Sequence, residues 1–86
     1  MERLLEYESN GVALQKYGDK LETVLSEWLI KDCGLSTIVS TYATRDIGTI
    51  MIDCSKDDEI EKADVLTRQF LDKLEIEYTV IGKTKL

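Results

Sequence analysis

The chain contains no histidine and no proline, and only two cysteines, one tryptophan and one phenylalanine. Without histidine it lacks the usual general base of neutral-pH catalysis and the commonest nitrogen ligand for metals. Cys33 and Cys54 form no C-x-x-C pair, and two thiols alone cannot complete a typical zinc site. They read as small buried apolar residues of a reducing compartment. A Gly-rich phosphate loop and a serine nucleophile elbow are also missing. No segment reaches the roughly eighteen uninterrupted apolar residues of a membrane span. The start, Met-Glu-Arg-Leu-Leu-Glu, lacks the basic head and apolar run of a secretory signal. A cytoplasmic protein is therefore expected. Basic residues are outnumbered, 11 against 17 acidic ones, which leaves a net charge of −6. They are scattered, and only Lys83-Thr84-Lys85 is locally basic. Such a surface repels a nucleic-acid backbone or an anionic membrane, so direct nucleic-acid binding is disfavoured.

What is present is globular. At 43% hydrophobic and 33% charged, the chain is too apolar for disorder, and no repeat, linker or low-complexity stretch divides it. Its 86 residues (1–86) are read as a single domain with one small core. A deep enclosed active site is not expected at this length.

Two helices stand out. Leu21, Val24, Leu25, Trp28, Leu29 and Cys33 fall on one helical face, so a helix is predicted over Asp19–Cys33. Asp19 and Glu22 suit its start and Gly34 its stop. Ile30 lies opposite the apolar stripe, as a lone exposed residue or a partner contact. The second helix runs roughly from Lys56 to Leu74. Ser55 can cap it, and Ile60, Ala63, Leu66, Thr67, Phe70, Leu71 and Leu74 share its face. Asp57, Asp58 and Glu59 fall in its first turn, where the helix dipole favours negative charge.

Strands are predicted at Ser36–Thr44 and Thr49–Cys54, joined through Arg45-Asp46-Ile47-Gly48, and again at Ile76–Gly82. Asn10-Gly11 is a strong hairpin signal. It predicts strands at about 3–9 and 12–17, against an alternative in which the N-terminus is helical. From Val12 onward the order becomes β-α-β-β-α-β. The fold class is α+β: a ferredoxin-like sheet with two helices on one face and residues 3–9 as an extra N-terminal edge strand. The run Ile50-Met51-Ile52 makes 49–54 the central strand. Val39, Met51 and Ile81 are expected to form an apolar strip on the sheet's open side.

The acidic stretch from Asp53 to Asp64 invites a metal reading. With Asp53 as position 1, oxygen donors fall at 1 (Asp53), 3 (Ser55), 5 (Asp57) and 12 (Asp64), an echo of a calcium loop. Position 6 is Asp58 where the sharp turn needs glycine, and a strand precedes the loop. Helix initiation explains the cluster better, and no metal site or cofactor is assigned. Asp53 and Glu59 could approach as a carboxylate pair. Cys54 sits before a helix start, but the neighbouring carboxylates oppose a thiolate. Tyr7, Tyr17, Tyr42 and Tyr78 are strand aromatics without the basic companions of an RNA-binding sheet. Trp28 is read as core. Arg45 and Asp46, at the tip of the central hairpin, are a solvated turn or a partner contact.

These observations lead to a small acidic, non-catalytic protein-interaction or regulatory module. It would dock on a protein partner, as an inhibitor of phage or plasmid type would, and it would form a homodimer. The candidate contact residues are Ile30, Val39, Arg45, Asp46, Met51 and Ile81. The alternatives are a small-molecule-binding regulatory domain, with its ligand at a sheet edge or dimer interface, and a divalent-cation module at Asp53–Asp64.

Overall fold

The structure is a computed structural model that describes residues 3–85. The elements run β1 (Arg3–Asn10), α1 (Gly11–Tyr17), α2 (Asp19–Glu27), β2 (Thr37–Ala43), β3 (Ile47–Cys54), α3 (Ile60–Lys73) and β4 (Tyr78–Lys85). A π-helical turn, Trp28–Asp32, extends α2, and a 3-10 turn, Asp57–Glu59, leads into α3. The chain is α+β. Its strands form one antiparallel sheet in the order β2-β3-β1-β4.

The N-terminal expectation is corrected. Residues 3–10 are not an added edge strand: β1 lies inside the sheet, paired with β3 on one side and β4 on the other. Residues 12–17 are not a strand but most of α1. Asn10-Gly11 makes a helix start instead of a hairpin. Asn10 stays extended, and its Oδ1 accepts a hydrogen bond from the Val12 amide at 2.8 Å. Gly11 is buried where the β2–β3 turn crosses it, and a Cβ there would collide with the Thr44 carbonyl oxygen. An Asx-Gly pair suits a tight turn and a capped helix equally, and here a distant backbone segment decides between them.

Gly18, at φ 59, ends α1 and lets α2 begin in a new direction. Asp19 is then the first helical residue of α2 rather than its cap. The π turn closes with Cys33 N–H donating to the Trp28 carbonyl at 3.0 Å, and Leu35 N–H donates to Leu29 at 2.9 Å. This wider turn keeps Leu29 fully buried and leaves Ile30 exposed. At the far end of α3, Ile76 N–H donates to Leu71 O and Glu75 N–H to Asp72 O, each at 3.0 Å. The bonds satisfy the last helical carbonyls and place Glu75 at φ 59.

One side of the sheet is buried. Leu5 and Tyr7 of β1, Thr37 and Val39 of β2, and Ile50, Ile52 and Cys54 of β3 all point to it. Their apolar members join Leu14, Leu21, Leu25, Leu29, Ile60, Ala63 and Leu71 from the helices in one cluster. Strand alternation and helical periodicity thus meet in a single core. Trp28 packs half-buried on Phe70, ring centroids 5.5 Å apart, where α2 meets α3. Thr67 Oγ1 and Thr37 Oγ1 are buried without a hydrogen-bond partner among the described residues. Thr67→Val keeps the shape and removes the unsatisfied hydroxyl. It is expected to raise stability by about 0.5–1.5 kcal/mol in urea unfolding, and a loss of stability would show that Thr67 has a partner after all.

Candidate functional site

Among the described residues, no helix lies over the opposite side of the sheet. It presents Leu4, Glu6 and Glu8 from β1, Ile38, Ser40 and Tyr42 from β2, Ile47, Thr49, Met51 and Asp53 from β3, and Thr79 and Ile81 from β4. The register carries Met51 between Ser40 and Glu6, and Asp53 between Ile38 and Leu4. Ile38 and Tyr42 are the most exposed of these apolar residues, at 64% and 66%. Ile81 is half exposed, while Leu4 and Met51 are half-buried by their neighbours. A β-bulge between the positions opposite Glu6 and Tyr7 leaves Ile81 without a cross-strand partner on β1. The face therefore alternates apolar patches with the carboxylates of Glu6, Glu8 and Asp53. Among its described side chains there is no lysine or arginine.

The candidate contact residues do not converge. Met51 and Ile81 belong to the helix-free face. Val39 does not: at 4% exposure it faces the helices and is core, which corrects the expected apolar strip. Ile38 and Tyr42, its neighbours of opposite parity, occupy the open side instead. Ile30 is exposed on the π turn in the helical layer. Arg45 and Asp46 are exposed in the β2–β3 turn, where the Asp46 carbonyl accepts a hydrogen bond from the Gly11 amide at 3.4 Å.

The calcium-loop donors are not brought together. Asp53 ends the open face of β3, Ser55 and Asp57 are exposed, and Asp64 is buried in the core at 6% exposure. Among the described residues, no three or more carboxylate, cysteine or histidine side chains are gathered to hold a metal ion. Ser55 is not the helix cap: its amide donates to Ser36 O at 3.0 Å, and Glu59 Oε1 accepts from the Ser36 amide at 2.9 Å. The acidic cluster thus begins α3 and ties it to the start of β2. Neither Cys33 nor Cys54 is in a disulfide. Cys54 is buried, and burial, reinforced by Asp32, pushes the Cys33 thiol above its ordinary range.

The most developed polar cluster was not anticipated. Tyr7 Oη donates to Asp64 Oδ1 at 2.6 Å, and Arg68 Nε donates to the same oxygen at 3.0 Å. Tyr7 is fully buried, and its ring meets Tyr78 edge-on at 5.9 Å. The sequence did hold a sign of it: Asp64 lies inside the apolar stripe of α3, four residues before Arg68. A carboxylate placed there needs buried partners. Burial first, then the bond to Asp64, pushes the Tyr7 phenol far above its ordinary value near 10. Between that value and its raised one the unfolded chain has released the proton and the native chain still holds it. Stability is therefore complete below about pH 10 and falls above it, by up to about 1.4 kcal/mol per pH unit. The urea midpoint is expected to drop from pH 10 to 11, and Tyr7→Phe to reduce that drop, leaving the share of Tyr78, whose phenol burial also pushes up. An unchanged alkaline slope in the variant would refute the assignment.

Beside this cluster an open cleft of about 1020 Å³ runs between the C-terminal end of α3 and the β4 edge. Arg68, Asp72, Glu75, Glu77, Glu8 and Tyr78 are among its lining residues. The other aromatics have separate places. Tyr17 lies on α1, with its hydroxyl on the Leu74 carbonyl at 3.4 Å, and Tyr42 alone of the four tyrosines is exposed on the open sheet face. No described helix is long and apolar enough to cross a membrane. Comparison with protein-family models, with curated proteins and with solved structures found no match.

Proposed function

We propose that this protein is a small, acidic, non-catalytic module that docks another protein through the helix-free face of its sheet. The carrying observation is that face itself: Glu6, Glu8 and Asp53 set among Leu4, Ile38, Tyr42, Met51 and Ile81, with no cation among its described side chains. Charge complementarity selects a partner surface that mixes lysine or arginine with apolar groups. A second copy stacked face to face is disfavoured, because it would oppose Glu6 and Glu8 to their own counterparts. An inhibitor covering a basic functional surface fits this chemistry. Helical segments after β1 and after β3, and the order β2-β3-β1-β4, support a β-α-β-β-α-β ferredoxin-like sheet in which β1 itself is the first strand. Two cysteines without a disulfide favour a reducing, cytoplasmic setting.

The test is amide chemical-shift mapping with an alternating lysine–leucine peptide and a glutamate–leucine control. Shifts are expected around Leu4, Glu6, Glu8 and Met51, weakening with salt and absent with the control. Shifts confined to the helical layer, or equal shifts with both peptides, would end this reading. The small-molecule alternative has one observation in its favour, the cleft beside the β4 edge. Stabilisation by an organic cation in a thermal-shift screen, lost in Asp72→Asn with Glu77→Gln, would move the function there.

A further inference from the structure

The two edges of the sheet are unlike. β4 carries the bulge near Gly82 and ends in Lys83-Thr84-Lys85. β2 carries none of the devices by which natural edge strands avoid pairing. Thr37–Ala43 has no charged residue and no proline, and its register with β3 runs unbroken from Thr37↔Cys54 to Ala43↔Gly48. Among the described residues, no strand flanks its outer side.

We propose that β2 pairs antiparallel with β2 of a second copy about a twofold axis at Ser40, making one eight-stranded sheet. The register follows from the side chains. Ile38 and Tyr42 lie two positions either side of Ser40, both on the helix-free face and both more than 60% exposed. A twofold at Ser40 sets Ile38 of each copy opposite Tyr42 of the other, so both exposed groups acquire an apolar neighbour. Aromatic against β-branched is a favoured cross-strand pairing. On the helix side the same axis sets Val39 opposite Thr41 and Thr37 opposite Ala43; these four are uncharged, and the Thr41 hydroxyl donates to the Glu22 carboxylate of its own chain at 3.4 Å. Such an interface is isologous, as a twofold requires.

Electrostatics also prefer this arrangement to face-to-face stacking. Glu6 and Glu8 lie on β1, two strands inward from β2. With strands spaced about 4.8 Å apart, the β1 strands of the two copies sit roughly 24 Å from each other, well beyond the screening length at physiological salt. The inference does not rest on the docking reading, since the edge is tested with the protein alone. If both hold, the dimer presents two acidic faces side by side.

Sedimentation of the full chain tests it. The wild type is expected to show a concentration-dependent dimer by about 100 µM. Ile38→Lys and Tyr42→Glu, each at an exposed position outside the core, are each expected to weaken dimerisation at least about tenfold while leaving the circular dichroism unchanged. Both changes in one chain restore the dimer, because each new lysine then meets a new glutamate of the second copy. A monomeric wild type at that concentration, a dimer indifferent to both single changes, or a double variant that stays monomeric would each overturn the proposal.

Discussion

Gly11→Ala is expected to cost at least about 3 kcal/mol of folding free energy, or to prevent folding. Gly11 is the first residue of α1 and is buried. A Cβ there would overlap the Thr44 carbonyl oxygen and lie 2.9 Å from Ile47 N and 3.1 Å from Arg45 C. All three are backbone atoms of the β2–β3 turn, so no rotamer change relieves the clash. The turn cannot open to relieve the clash, because Thr44 N–H donates to the Ile47 carbonyl at 2.8 Å and the Ile47 amide donates to Thr44 Oγ1 at 3.1 Å. Moving α1 instead would pull Leu14 off Gly48, where the fit is equally close. Equilibrium urea unfolding measures the loss. Gly82→Ala, with no atom within 4 Å of the added methyl, is the near-neutral control. Asn10→Ala, which removes only the cap, should lose about 1 kcal/mol. A Gly11→Ala loss no larger than that of Asn10→Ala would mean the turn yields and the close approach is not a constraint.

Asp64→Ala is expected to lose about 3 kcal/mol, and Tyr7→Phe about 1–2 kcal/mol. The asymmetry follows from what each change leaves behind. Without Asp64, the buried Tyr7 hydroxyl loses the carboxylate to which it donates at 2.6 Å, and Arg68 loses its ion pair. Without the Tyr7 hydroxyl, Asp64 still receives Arg68 Nε at 3.0 Å. Arg68→Ala should matter less, because the arginine side chain is 42% exposed and water screens the charge it contributes. Combining Tyr7→Phe with Asp64→Ala should lose less than the sum of the two, with a coupling of about 1–3 kcal/mol. Additive losses would show that the two groups stabilise the protein independently, and the bridge from β1 to α3 would then be incidental.

Several elements were legible because a local rule and the tertiary fold agreed. The apolar offsets of Leu21, Val24, Leu25, Trp28 and Leu29 predicted the helix that contains them. Ile50-Met51-Ile52 marked an interior strand, and β3 does lie between β2 and β1. The parity of β2 was not legible. Val39 with Thr41 and Ile38 with Tyr42 offer each side of that strand a similar mixture of apolar and polar groups. Period two shows that side chains alternate without showing which set faces in. The choice came from α2 packing over Val39, and it exchanged one predicted contact residue for two others.

The amino-acid order by itself determined the two longer helices, the strands that became β2, β3 and β4, the net negative charge, and the exclusion of histidine chemistry, because each depends on composition or on neighbours a few positions apart. Only the tertiary structure decided that Asn10-Gly11 begins a helix, that β1 lies inside the sheet, that Asp64 is a buried acceptor rather than a loop ligand, and which face of the sheet is open. Each of these was settled by groups distant along the chain: Thr44 against Gly11, β3 and β4 against β1, and Tyr7 against Asp64. A local pattern leaves such choices nearly degenerate in energy, and burial and hydrogen-bond satisfaction across the fold separate them.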